Sequence, residues 1–266
     1  MTTTASSPPS STTASVPVLL ELVRRTVLRM VRLPTILIPT IVMPAFFVIS
    51  FTGSFSGITR VDGYPTDNIV NWVAAFALLQ SAAFAGIGSS AAMAVDLETR
   101  FLDRLLVSPI HRWLIILGPL GQGVVRSLIP TTVVLVIAWF KDASMPGGVL
   151  GIVMAYLGGM GIAVFTGALG LTVILRIGNI RAMAIVQIVV FGLLFPSTGQ
   201  VPIALMDGWL ADLARVNPAT DLLAMTRQGF LGPVTWDQTW PGLLVLAVAI
   251  GVFVTTARLQ LRRYDG

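Results

Sequence analysis

Residues 69–139 read IVNWVAAFALLQSAAFAGIGSSAAMAVDLETRFLDRLLVSPIHRWLIILGPLGQGVVRSLIPTTVVLVIAW, and this stretch decides the fold. Positions 69–95 hold no charged residue, and 113–139 hold only Arg126. Each run exceeds the roughly 18–20 apolar residues that carry a helix across a bilayer. Between them, 96–112 (DLETRFLDRLLVSPIHR) is the most charge-dense part of the chain. Two apolar helices joined by a short charged loop make a hairpin that crosses a membrane twice.

The pattern continues in both directions. Further apolar runs fall at 35–52, 149–175, 182–195 and 241–257. Hydrophobic residues make up 55% of the chain and charged residues 11%, against about a quarter charged in a soluble domain. The chain therefore reads as an all-α integral membrane protein with six transmembrane helices over 34–266. The run 182–195 is short; counted from Ile177, with Arg181 reaching to the interface, it approaches a crossing. Pro39 and Pro44 predict a kink in the first run. Small residues through the second and fourth runs allow close helix packing, favouring packing within one chain over the alternative of a dimer seam.

Residues 1–15 are rich in Ser, Thr and Pro and read as a disordered tail. Over 16–33 the period turns helical and amphipathic. Arg25, Arg29 and Arg32 share a side with Glu21, opposite Leu19, Leu20, Val23, Val27, Met30 and Val31. This is an interfacial amphipathic helix that lies along the bilayer.

Basic residues set the orientation. With six spans and a cytoplasmic N-terminus, twelve Lys and Arg fall inside, four outside, and Arg126 within a span, accounting for all 17. Five spans would give nine against seven, so the bias favours six, with both termini cytoplasmic in a cell inner (plasma) membrane. The net charge of +5 is spread over the ends of apolar segments and does not form a nucleic-acid surface. There is no cysteine and a single histidine, His111, so no thiolate or His-rich metal site is expected.

Within 96–112, Leu97, Phe101, Leu102 and Leu105 form one apolar stripe, and Arg100 can pair with Asp103. Ser108-Pro109 stops the helix. Across the membrane, 196–233 predicts two short helices that cannot span. Asp207 caps the first, which shows Trp209, Leu210 and Leu213 on one side. Asn217 caps the second, Pro218 occupies its first position and Gly232-Pro233 ends it. Both belong in the outer leaflet, with Trp209, Trp236 and Trp240 at headgroup depth.

Two of these segments resemble a known family. Asp96-Leu97-Glu98, Asp103-Arg104, Ser108-Pro109-Ile110 and Arg112 look like the first cytoplasmic loop of type-2 ABC exporter permeases, closest to drug-resistance types such as the daunorubicin exporters. Members often carry a glycine near the position held here by Thr99 or Arg100. Phe195-Pro196, Pro202, Asn217-Pro218-Ala219-Thr220 and Arg227 match, in order and spacing, the family's motifs before the last span.

The resemblance implies that Leu97, Glu98, Arg100, Phe101, Leu102, Asp103, Arg104, Leu105, Ser108 and Pro109 form a coupling helix docked on a separate ATPase. It further implies two ATPase subunits carrying ATP and Mg, with no cofactor on this chain, and a second permease copy or paralogue. The chain has no G-x-x-x-x-G-K-[ST] loop, so ATP hydrolysis would belong to that partner. A hydrophobic or amphipathic drug or lipid is the expected cargo. Arg126, costly in lipid, either lines the transport route or reaches back to the inner interface. Membrane enzymes and proton-driven carriers usually place His, Asp or Glu within spans, and the long apolar runs hold no carboxylate. A proton-driven transporter or a non-transport assembly protein is the alternative reading.

Overall fold

The computed structural model describes residues 34–100, 102 and 112–263. The tail 1–15, the amphipathic segment 16–33 and most of the loop after residue 100 lie outside the described residues. Eight α-helices follow in order: α1 (Pro34–Phe55), α2 (Ile69–Glu98), α3 (Arg112–Phe140), α4 (Gly148–Ile177), α5 (Ala182–Leu194), α6 (Trp209–Val216), α7 (Pro218–Leu231) and α8 (Trp236–Arg263). No strand occurs among the described residues.

The architecture follows from which helix is buried on all sides. α2 is the central post, and nearly all of its apolar stretch is enclosed by α1, α3, α4, α5 and α7. It can be enclosed because it is built from small residues. A Cβ placed on Gly86 would run into the Ala163 carbonyl and the Thr166 hydroxyl of α4. Thr166 in turn donates from Oγ1 to the Ala83 carbonyl of α2 at 3.0 Å, adding a polar tie at the closest approach. The glycines of α2 and α4 thus pack inside this chain.

α1 rests on α2 through stacked rings. Phe47, Phe51 and Phe55 succeed one another at 5.9 Å, and Phe51 meets Phe76 edge-on. The helix runs unbroken in its assignment through Pro39 and Pro44. Its other face, with Val42, Phe46 and Ile49, is exposed, as are Ile188 of α5, Val149 of α4 and Val248 of α8. Exposed apolar faces on every peripheral helix are what a bilayer solvates.

Among the described residues five helices are long and apolar enough to cross a membrane: α1 with its short 3-10 extension, α2, α3, α4 and α8. α5 departs from the near-crossing expected for the fifth run counted from Ile177. Ile177 belongs to α4, which stops where Gly178 enters the left-handed region (φ 79) and bonds back to the Ile174 carbonyl. With 13 residues α5 rises about 20 Å, short of the roughly 30 Å hydrocarbon core. Its far end turns at the depth of Trp72 and Phe76, inside the bundle. The short helices α6 and α7 fill the space above it.

Candidate functional site

Two ends of the bundle carry the residues singled out by sequence. The first is the hairpin end, where α6 and α7 close over α5. Asn217 precedes α7, its Oδ1 accepting from the Ala219 amide at 2.9 Å. The same side chain donates from Nδ2 to the carbonyls of Leu193 (2.7 Å) and Pro196 (3.2 Å), so the α7 cap also ties off the end of α5. Thr220 donates to the Ala214 carbonyl of α6 at 2.7 Å. Pro202 adopts the extended conformation that precedes a 3-10 turn, Ile203–Leu205. Pro218 takes the first position of α7, and Gly232 ends that helix, as the spacing predicts. The cap of α6 differs from expectation. Gly208, not Asp207, occupies it, at φ 66 with no side-chain cap bond, so α6 begins one residue later on backbone that only glycine readily adopts.

Arg227 is the centre of this end. It is 3% exposed and stands among backbone oxygens. Nε donates to the Trp72 carbonyl (2.9 Å), and one terminal nitrogen donates to the carbonyls of Thr198 (2.8 Å) and Gly199 (3.1 Å). The guanidinium also lies 3.7 Å from the centre of the Trp72 ring. One side chain thereby joins α2, the turn after α5 and α7. Tyr64, in the loop before α2, packs against the Trp72 ring with centroids 5.9 Å apart. Burial pushes its phenol up to about 12, with Arg227 partly offsetting the shift, so it stays neutral.

Four further polar residues that sequence reasoning missed extend the network. Gln228 bridges α7 to the start of α8 through Thr239 (2.8 Å) and the Thr235 amide (3.0 Å). Asn71 of α2 and Ser144 of the α3–α4 loop bond to each other twice. Asn68 was findable, since an Asn just before an apolar run is a helix-cap signal, and its side chain accepts from the Val70 amide. Beneath the hairpin lies an apolar cavity of about 220 Å³ between α4, α5, α7 and α8, lined by Phe165, Leu193, Leu222, Leu246 and Phe253 among others.

The second region is the loop end. Leu97 packs partly against a cluster of buried side chains from α2, α3, α4 and α8, and Leu102 lies wholly inside it. The stripe read from the sequence is therefore turned, at Leu102, onto this chain's own core. Glu98, the last residue of α2, accepts from the Ile180 amide at 3.0 Å, just before α5. Arg100 follows at φ 55, a left-handed conformation in a non-glycine residue. Phe101, Asp103, Arg104, Leu105, Ser108 and Pro109 lie outside the described residues, as do Arg25, Arg29 and Arg32.

Arg126 belongs to neither end. It is the midpoint of α3, about 21 Å from each terminus. Its guanidinium occupies the space left by Gly88 of α2, where a Cβ would come within 3.1 Å. Its buried Nε has no hydrogen-bond partner among the described residues. No group of His, Asp or Glu able to hold a metal occurs there either.

Comparison with known proteins agrees with this arrangement. Residues 17–231 match the family model for the ABC-2 type transporter membrane domain. Over 227 residues the chain is 26% identical to a protein named as a transport permease, ycf38, of Pyropia yezoensis, covering 82% of this chain and 75% of that one. It is 27% identical over 176 residues to one named as a multidrug ABC transporter permease, YbhR, of Escherichia coli K12, covering 60% of this chain and 45% of that one. The span of the family match takes in both the loop and the Asn217–Arg227 segment, and the chain belongs to the ABC-2 type transporter membrane family.

Proposed function

We propose that this chain is the membrane half of an ATP-driven exporter, moving a hydrophobic or amphipathic drug or lipid outward. Its partners are two ATPase subunits, which hold ATP and Mg, and a second copy or paralogue of the permease. The Lys and Arg bias supports an orientation with both termini and the 96–112 loop in the cytoplasm of a plasma membrane.

The observation that carries the coupling role is the Glu98–Ile180 hydrogen bond. It joins the first residues of the loop to the start of α5, so a push on the loop reaches two helices at once. Leu102 packs in this chain's own core; in this proposal the sequence stripe offers Phe101 and Leu105 to an ATPase groove. The test is co-purification with the cognate ATPase and ATP turnover of the Leu105→Asp variant. Loss of both supports docking through this loop; unchanged binding and turnover overturn it.

The cargo reading draws on the relative named as a multidrug permease and on the apolar cavity under the hairpin. Stimulation of ATP turnover by a ligand panel identifies it. Arg126, at mid-membrane without a partner among the described residues, lines the route in this proposal and attracts the anionic part of an amphipathic cargo. Full export by both Arg126→Gln and Arg126→Lys would remove it from the route.

A further inference from the structure

At the loop end, a notch of about 140 Å³ opens between the first turn of α3 and the last turns of α8, lined by Trp113, Ile116, Arg258, Leu261 and Arg262. Arg258 and Arg262 stand one turn apart on the same face of α8. The Arg258 guanidinium lies 4.3 Å from the centre of the Trp113 ring, which holds it over the opening. Neither arginine has a carboxylate partner among the described residues. The floor is apolar, with Ile116 and Leu261 both buried.

The depth of the notch in the bilayer can be measured along α8. Trp240, exposed near the opposite end, marks one headgroup boundary. Eighteen residues separate it from Arg258, about 27 Å of helix, close to the roughly 30 Å hydrocarbon thickness. No charge intervenes between them. Arg258 therefore stands where the hydrocarbon of the loop-side leaflet meets its headgroups. One turn outward from Trp113, Leu117 is exposed and continues an apolar surface into the membrane.

Two guanidinium forks over an apolar floor, at headgroup depth, form a receptor for a phosphate attached to acyl chains. Orientation of the protein by positive charge does not require this arrangement. Arg263 serves that purpose equally, yet it does not line the notch. We propose that Trp113, Arg258 and Arg262 bind the phosphate of an anionic phospholipid in the loop-side leaflet, with its glycerol and acyl chains over Ile116 and Leu117. The site is independent of the export route and of the identity of the cargo.

The test is native mass spectrometry of the full chain in neutral detergent, titrated with phosphatidylglycerol or phosphatidylcholine of equal chain length. Phosphatidylglycerol is expected to bind about tenfold more tightly. The Arg258→Gln/Arg262→Gln double variant brings the two lipids to near parity, Arg258→Lys retains part of the preference, and Arg263→Gln retains all of it. Arg262→Gln alone, at an exposed position, gives the same reading with a reduced loss if the double variant fails to fold. Equal binding of both lipids by the unaltered chain overturns the proposal. So does a preference that survives the Arg262 and double variants, or one lost equally on Arg263→Gln, which would mark diffuse surface charge. Inorganic phosphate at millimolar concentration should not displace the lipid; if it does, and itself adds to the chain, the site is one for free anions and the lipid assignment fails.

Discussion

The two ends of this bundle are built on opposite terms. At the hairpin end the main cation, Arg227, is sealed from solvent and held by three carbonyls and a ring, and Asn217, Thr220 and Gln228 bridge neighbouring elements. At the loop end, the amide of Ile180 donates to Glu98 in an exposed hydrogen bond, and Arg100, two residues on, is in left-handed backbone. Buried polar networks resist rearrangement, because every member must be re-satisfied elsewhere. A boundary resting on an exposed hydrogen bond and an apolar cluster can shift at little cost. The contrast teaches where a two-state movement would enter this molecule: at the loop, against a fixed opposite end.

The largest expected effect breaks the fixed end. Arg227→Met leaves three buried carbonyls without their donor and should lower stability by about 3 kcal/mol or more. The thermal midpoint of the purified chain in detergent measures this, and Arg227→Lys should recover only part, lacking the fork. Next comes Gly229→Val. Gly229 of α7 and Gly151 of α4 approach so closely that a Cβ on either strikes the backbone of the other, and the overpacking should cost about 1–3 kcal/mol in the same assay.

At the loop end the ordering of readouts reverses. Glu98→Ala should change the thermal midpoint by less than about 1 kcal/mol, since the bond is solvent-exposed, while cargo-stimulated ATP turnover of the complex falls several-fold. Glu98→Gln keeps an acceptor and should keep most of the stimulation. A large stability loss with normal turnover would invert the comparison between the ends. The smallest effect is Arg100→Gly. Relief of left-handed strain, about 1–2 kcal/mol, is offset by about 0.5–1 kcal/mol of added chain entropy, for a net gain of at most about 1.5 kcal/mol.

Much of the fold was legible because long apolar runs have one physical solution. The runs 113–139, 149–175 and 241–257 lie within α3, α4 and α8. α5 was overextended because the stop signal at Gly178-Asn179, with Arg176 in the turn before it, was passed over; the left-handed φ of Gly178 ends α4 there. Asn217 and Pro218 were legible because capping chemistry is local. Arg227 was identified from motif order, but its partners were not. They are backbone oxygens of residues 72, 198 and 199, and a carbonyl leaves no trace in a sequence. Leu102 shows the limit of a periodic stripe, which states that one face is apolar without saying what covers it; here the cover is the chain's own core.

The Arg227 cradle also bears on the order in which the protein is made. Synthesis proceeds from the N-terminus, so α2 and the turn at 198–199 exist before residue 227 leaves the ribosome. Until then the Thr198 and Gly199 carbonyls await the donor that satisfies them in the finished bundle. Biogenesis of this end is therefore completed late, by one side chain from the last quarter of the polypeptide. A nascent chain arrested short of it would hold most of its helices in place with this end unlatched.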